Sequence, residues 1–235
     1  MNCDFVTAAL FSGETWQIVR SEFPAAIGQT LMVVLLTTLA ASLIGVPLGV
    51  LLVTGQENGI RPLPKWLMRL LNGIINLLRS VPFLILIIVV IPVTRAIAGT
   101  IVGPMASIVP LTIASFPYVA RVTESALREV DPNVIEMAQS LGASPFQIVT
   151  RVMIPESVPG LISNAAITLT NVLGYQATTG MLGGGGLGKI AIDYGYYRYR
   201  FGIMILAVAV LVIIVQIIQH LGSWLSQSCD KRLRR

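Results

Sequence analysis

Few side chains in this sequence are equipped for covalent or metal chemistry. Cys3 and Cys229 stand at opposite ends of the chain, and the single histidine, His220, has no Cys or His at ligand spacing. A glycine-rich run, Gly183-Gly184-Gly185-Gly186-Leu187-Gly188-Lys189, formally meets most of a phosphate-loop pattern, and Gly183, Gly185 and Gly188 also fit a dinucleotide fingerprint. A phosphate loop needs Ser or Thr after the lysine to hold magnesium, whereas Ile190 stands there, and neither motif follows a strand pattern. No nucleophile, base and metal ligands combine into a catalytic set, so the chain is expected not to be an enzyme. The glycines then read as places of tight backbone packing or as a hinge-like, re-entrant turn.

The elements that carry these residues are dictated by solvent. Of 235 residues, 54% are hydrophobic and 11% charged, against about 25% charged in an ordinary soluble chain. Five apolar stretches reach membrane length: 25–53, 67–97 with an interruption at Arg79 to Pro82, 105–127, 158–178 and 201–225. All five predict helices, since lipid offers a backbone no hydrogen-bond partner and the alternation of a barrel strand is missing. The net charge of +5 is scattered rather than gathered into a patch with interleaved aromatics, which argues against nucleic acid.

Lys and Arg in the short connections set the orientation. Arg61, Lys65, Arg69, Arg128, Arg151 and the tail Lys231, Arg232, Arg234 and Arg235 define a cytoplasmic side. Arg20, Arg95, Lys189, Arg198 and Arg200 fall on the other. The expected plan is an extracytoplasmic N-terminal segment 1–24, a membrane domain 25–225 and a cytoplasmic basic tail 226–235. The first apolar run starts too late, and without an early basic cluster, to be a cleaved signal. Asn72, Asn76, Arg79, Arg121, Glu124, Asn164, Asn171 and Gln176 fall at or near membrane depth and are expected to face protein or water, mostly as helix-to-helix glue.

Between the third and fourth stretches lies a polar segment, 131–155, that encodes two short helices. Asp131 is a natural N-cap with Pro132 at the first helical position, and Gly142 supplies a left-handed stop. Ser144 caps a second helix, with Pro145 at its first position and Gln147 completing a capping box. Pro155 is expected to close that second helix.

The spacing of Glu136, Ala138, Gly142, Val152, Ile154 and Pro155 resembles the EAA signature of ABC importer permeases: Glu-Ala-Ala, three residues, Gly, nine residues, Ile-x-Leu-Pro. Met137 replaces the first alanine, and Val152 and Ile154 are apolar substitutions. The resemblance implies a type I importer permease fold, an all-α membrane protein with five transmembrane helices and a cytoplasmic coupling helix pair. It assigns docking on an ATPase to Glu136, Met137, Ala138, Gly142, Ala143, Pro145 and Phe146, with Pro155 behind them. Two further stretches, Arg79-Ser80-Val81-Pro82-Phe83 and Asn171 to Tyr196 through the glycine run, resemble permeases of bacterial methionine importers, and the likeness runs from about Ala25 to the C-terminus.

What the resemblance implies is a multi-pass subunit of the bacterial inner membrane, N-terminus outside and C-terminus cytoplasmic, that passes methionine. Its implied partners are a second copy of itself, two ATPase subunits that hold the ATP and magnesium, and an external substrate-binding lipoprotein; the chain itself would bind no cofactor. Five spans enclose little volume, which independently favours two copies around a shared pathway. Tyr175, Gln176, Thr178, Thr179 and Met181 are the candidates to line or gate it, as small hydroxyls and a flexible thioether suit an amphipathic solute. Open alternatives are other amino acids, small peptides, phosphonates or betaines, carriage of D- as well as L-methionine, an ion-coupled transporter, and a non-transporting scaffold. Glu124 is the lone acid near membrane depth, which speaks against ion coupling.

Overall fold

The computed structural model describes residues 13–230, every side chain among them except that of Glu14. Cys3, the first part of the expected N-terminal segment and the basic tail from Lys231 onward lie outside the described residues. Every regular element among the described residues is helical. In chain order they are α1 (Gly13–Thr54), α2 (Lys65–Ser80), α3 (Phe83–Val89), α4 (Ile91–Ala98), α5 (Pro104–Arg128), α6 (Pro132–Ser140) and α7 (Pro145–Ile148). A π turn (Val149–Met153) leads into α8 (Ile154–Thr179); then come a 3₁₀ turn (Gly180–Leu182), α9 (Gly186–Ile190), a second π segment (Ala191–Tyr197) and α10 (Phe201–Cys229). Among the described residues four helices are long and apolar enough to cross a membrane, and α2 with α3 supplies a fifth if the pair counts as one broken span.

Two expectations need correction and one is met. Helix α1 is already formed at Gly13, the first described residue, well before Ala25. Phe23 and Ala26 are buried with Leu187, Ile190, Ile203 and Ala207, and Ile18 and Val19 pack beside them, so tertiary contacts extend the helix beyond its most apolar stretch. The interruption expected in the second stretch is present: α2 ends at Ser80 and α3 starts at Phe83. Val81, held extended at φ −78° and ψ 125° before Pro82, makes the corner, as residues preceding proline do. A further break at Val90 precedes Pro92, and α4 ends on left-handed Gly99. Finally, Pro155 does not close the second short helix. Helical structure is unbroken from Pro145 to Leu182, because the π turn, in which the Ile154 N–H bonds to the Val149 carbonyl, widens the backbone just before the proline ring.

Packing divides the described residues into two compact units: 13–37 with 83–112 and 169–218, and 38–82 with 113–168 and 219–230. The first is centred on the cluster around Leu187 and on a second one of Val34, Val172 and Leu173. The second unit holds Leu52, Ile75 and Ala120 in one cluster and Leu127, Ala138, Ile148 and Met153 in another. Within it, Gly45 and Gly49 of α1 lie directly on α5: a Cβ at either would sit 2.7 Å from Val119 or 2.6 Å from Thr123. Small residues four apart allow such backbone approach between membrane helices.

Candidate coupling element and glycine loop

In the second unit, residues 131–154 form a compact projection whose ends are locally determined. The Asp131 side chain accepts from the Asn133 N–H at 2.9 Å and opens α6. The helix closes with a double hydrogen bond, Gly142 N–H to the Gln139 carbonyl at 2.9 Å and Ala143 N–H to the Ala138 carbonyl at 3.1 Å, which is the Schellman arrangement. Gly142 has φ +77° with open space around its missing Cβ, so conformation rather than room requires glycine there. Ser144 then forms a reciprocal capping box with Gln147, and Pro145 starts α7.

The projection is sided. Ala138, Ile148 and Met153 are buried with Leu127, and Ala143 packs against this cluster. Glu136, Pro145 and Phe146 face outward, and three large apolar side chains are left uncovered: Met137 at 59%, Leu141 at 80% and Phe146 at 76% exposure. An apolar triad on a rigid, doubly capped knob is suited to insertion into a partner's groove. Ala138 serves that knob from beneath rather than on its surface, while Pro155 lies behind it at the start of α8.

A polar cluster lies within the same unit. Glu124, only 7% exposed, accepts from Arg121 at 2.7 Å and from Arg128 at 2.6 Å. Arg121 also donates to Asn72 and Asn76 of α2, at 2.7 and 2.9 Å. On another side, Ser157 and Asn164 of α8 donate to the Ala126 and Val122 carbonyls of α5, at 3.1 and 2.9 Å.

The glycine loop belongs to the first unit, and there the backbone itself is the packing surface. Gln176 Nε2 donates to the Gly185 carbonyl at 3.2 Å, Gly186 N–H to Gln29 Oε1 at 3.0 Å, and Leu187 N–H to Thr30 Oγ1 at 3.0 Å. The amides that a phosphate loop would offer to an anion are therefore used inside the chain. Gly183, Gly185 and Gly186 have positive φ, and Gly184 donates to the Thr179 carbonyl. Gly188 lies so near α8 that a Cβ would meet the Ala177 carbonyl oxygen at 2.4 Å. Outside the apolar stretches, the Tyr194 hydroxyl donates to Glu22 and Arg198 stacks over its ring. That hydrogen bond first, then burial and the carboxylate's charge, raise the tyrosine above its ordinary range, with Arg198 pulling the other way.

The five candidate path residues do not form one group. Gln176 and Thr179 are fully or nearly buried, Thr179 Oγ1 donating to the Gln176 carbonyl at 2.7 Å; they support the glycine loop rather than facing a channel. The reason is helical period: 176 and 179 share one face of α8, whereas Tyr175 and Thr178 lie on another. Tyr175 is exposed and stacks on Phe83 with ring centres 4.6 Å apart, Thr178 is half-buried, and Met181 is exposed.

The sequence profile of the binding-protein-dependent transport system inner membrane component family matches residues 45–235. The chain belongs to this family. A Vibrio cholerae relative described as a probable D-methionine transport system permease protein MetI is 46% identical over 205 residues, 87% of this chain and 90% of its own length. The Escherichia coli K12 D-methionine transport system permease protein MetI is 41% identical over 165 residues, 70% of this chain and 73% of its own. Among solved structures, an inward-facing MetNI methionine ABC transporter chain superposes with a TM-score of 0.88 at 38% identity, covering 94% of this chain and all of its own. As an inner membrane component of this family, the chain has a transport role and the type I importer fold.

Some residues of this family member escaped sequence reading. Leu141, the most exposed of the knob's apolar triad, sits four residues after Met137, a spacing that places both on one helix face. Gln29 and Thr30, which hold the glycine loop, lie 157 residues before their partners and carry no local signal. Gly45 and Gly49 did carry one, the small-xxx-small spacing.

Proposed function

We propose that this chain is the membrane-spanning permease subunit of an ATP-driven methionine importer, acting as one of two copies with two ATPase subunits and an external substrate-binding lipoprotein. The observation that carries the reading is the knob of 131–154, rigidly capped at both helices with Met137, Leu141 and Phe146 uncovered. Relatives named as D-methionine permeases and a methionine transporter of matching fold support the substrate.

In this reading the knob faces the cytoplasm, the N-terminus lies outside, and ATP with magnesium is bound by the partner subunits. Closure of the ATPases on ATP draws the two knobs together and turns the spans from inward-facing to outward-facing; hydrolysis resets them. Methionine passes between the two copies, along the α8 face bearing Tyr175 and Thr178 and past Met181. Gln176 and Thr179 act behind that face by holding the loop of Gly183 to Gly188.

The test is reconstitution of the purified complex with its binding protein in vesicles. Radiolabelled methionine accumulates only with ATP and loaded binding protein. Accumulation without ATP, or no ATPase co-purifying with the chain, overturns the proposal. For the path, single cysteines in a background lacking Cys3 and Cys229 are expected to react with an impermeant thiol reagent, in a nucleotide-dependent way, at 175, 178 and 181. Positions 176 and 179 are expected to stay unreactive.

A further inference from the structure

The cluster on α5 is arranged for something other than stability. A buried ion pair recovers little beyond its own desolvation, and apolar side chains of equal volume usually stabilise as well. What Arg121 gains by forking to Glu124 and to two carboxamides is a single permitted register between α5 and α2. Its guanidinium presents fixed, planar donors. Nη1 meets Glu124 Oε2, while Nη2 meets both Asn72 Oδ1 and Asn76 Oδ1, one turn apart on α2. Asn72 is itself oriented by donating to the Met68 carbonyl at 2.8 Å. Glu124 spends its second oxygen on Arg128, the last residue of α5, three residues before the Asp131 cap that opens the knob. An apolar helix contact tolerates sliding; this one does not.

We infer that Arg121, held by Glu124, is a positioning residue for transport: it makes α2 travel with the knob, so that displacement of residues 131–154 by the ATPase reaches the helix that leads to the Val81–Pro82 corner. This rests on the function proposed above. The two asparagines are the informative half of the device. They are neutral acceptors, so removing them leaves the Arg121–Glu124 pair intact and takes away only the polar link to α2, whose Ile75 still packs with Ala120 and Leu52. Leucine in their place keeps the branched shape with somewhat more bulk, offers no acceptor, and favours the helix.

The experiment compares uptake per ATP hydrolysed in reconstituted complexes carrying wild-type chain, Asn72→Leu/Asn76→Leu, and Asn72→Asp/Asn76→Leu. In the double-leucine variant, ATP hydrolysis stimulated by loaded binding protein stays within about twofold of wild type, while methionine accumulated per ATP falls about tenfold, a loss of roughly 1.4 kcal/mol of coupling. The aspartate variant, which returns an oxygen acceptor to Arg121 Nη2, restores at least half of the ratio. An unchanged ratio in the double-leucine variant overturns the inference, as does an equal fall in both variants, which would mark a packing role. If the double-leucine chain does not assemble, Arg121→Lys decides: its single ammonium cannot fork, so a reduced ratio supports the inference and an unchanged one ends it. Failure of the wild-type complex to couple hydrolysis to methionine uptake would instead strike the proposed function and is read from the wild-type lane alone.

Discussion

The turn at Gly142 and the loop at Gly183 to Gly188 both interrupt helices with left-handed glycines, yet they do opposite things with their surroundings. At Gly142 the backbone is satisfied within a dozen residues, by Asp131, the Schellman pair and the Ser144–Gln147 box, and the side chains are free to face outward. At the glycine loop the backbone is satisfied by side chains of two other helices, Gln29 and Thr30 lying 157 residues away and Gln176 on α8, and the side chains have been removed so that main chain can meet main chain. A self-sufficient turn can be pushed on as a unit. A borrowed one is fixed only as firmly as the helices that lend it their side chains.

Substitutions break or sharpen this contrast. The largest effect is expected from Leu141→Asp with Phe146→Asp, which places charge on the knob's contact surface without touching its caps. ATPase affinity falls about 100-fold, the scale of a lost hot spot, with the permease still extracted intact; pull-down of the ATPase measures it. Next is Gly188→Val, whose added atoms collide with the Ala177 carbonyl. Overpacking of this kind costs about 1–3 kcal/mol, so the apparent melting temperature in detergent drops while ATPase binding is retained by whatever fraction stays folded.

Smaller effects fall on the caps. Gly142→Ala costs about 1 kcal/mol for the left-handed backbone, and Ser144→Ala about 1 kcal/mol for its cap. Each lowers the melting temperature by about 3 °C. Because both leave the exposed apolar side chains in place, ATPase affinity changes less than in the aspartate pair. The smallest effect belongs to Tyr194→Phe, which removes only the exposed bond to Glu22; its melting temperature and uptake remain near wild type.

The same contrast explains what could be read in advance. Asp131, Pro132, Gly142, Ser144, Pro145 and Gln147 act on neighbours within a few residues, so their pattern alone specified where both helices of the knob start and where the first one stops. Pro82 likewise marked the corner that Val81 turns. Gln176 and Thr179 were assigned to a path because residue type indicates polarity but not which face of α8 turns inward. Arg121, Glu124, Asn72 and Asn76 were each visible as polar groups needing partners, but their pairing joins residues up to 49 apart in sequence. Pro155 misled because a π turn, which no residue type announces, made room for its ring.

The close approach of α1 to α5 at Gly45 and Gly49 removes the layer that elsewhere absorbs misfit. Interdigitated side chains yield by changing rotamer, acting as a cushion between moving rods; two main chains at van der Waals distance have nothing to compress. At that seam the two helices cannot draw closer by even a fraction of an ångström. It works as a bearing rather than a spring, and even a single methyl group lodged in it would be grit.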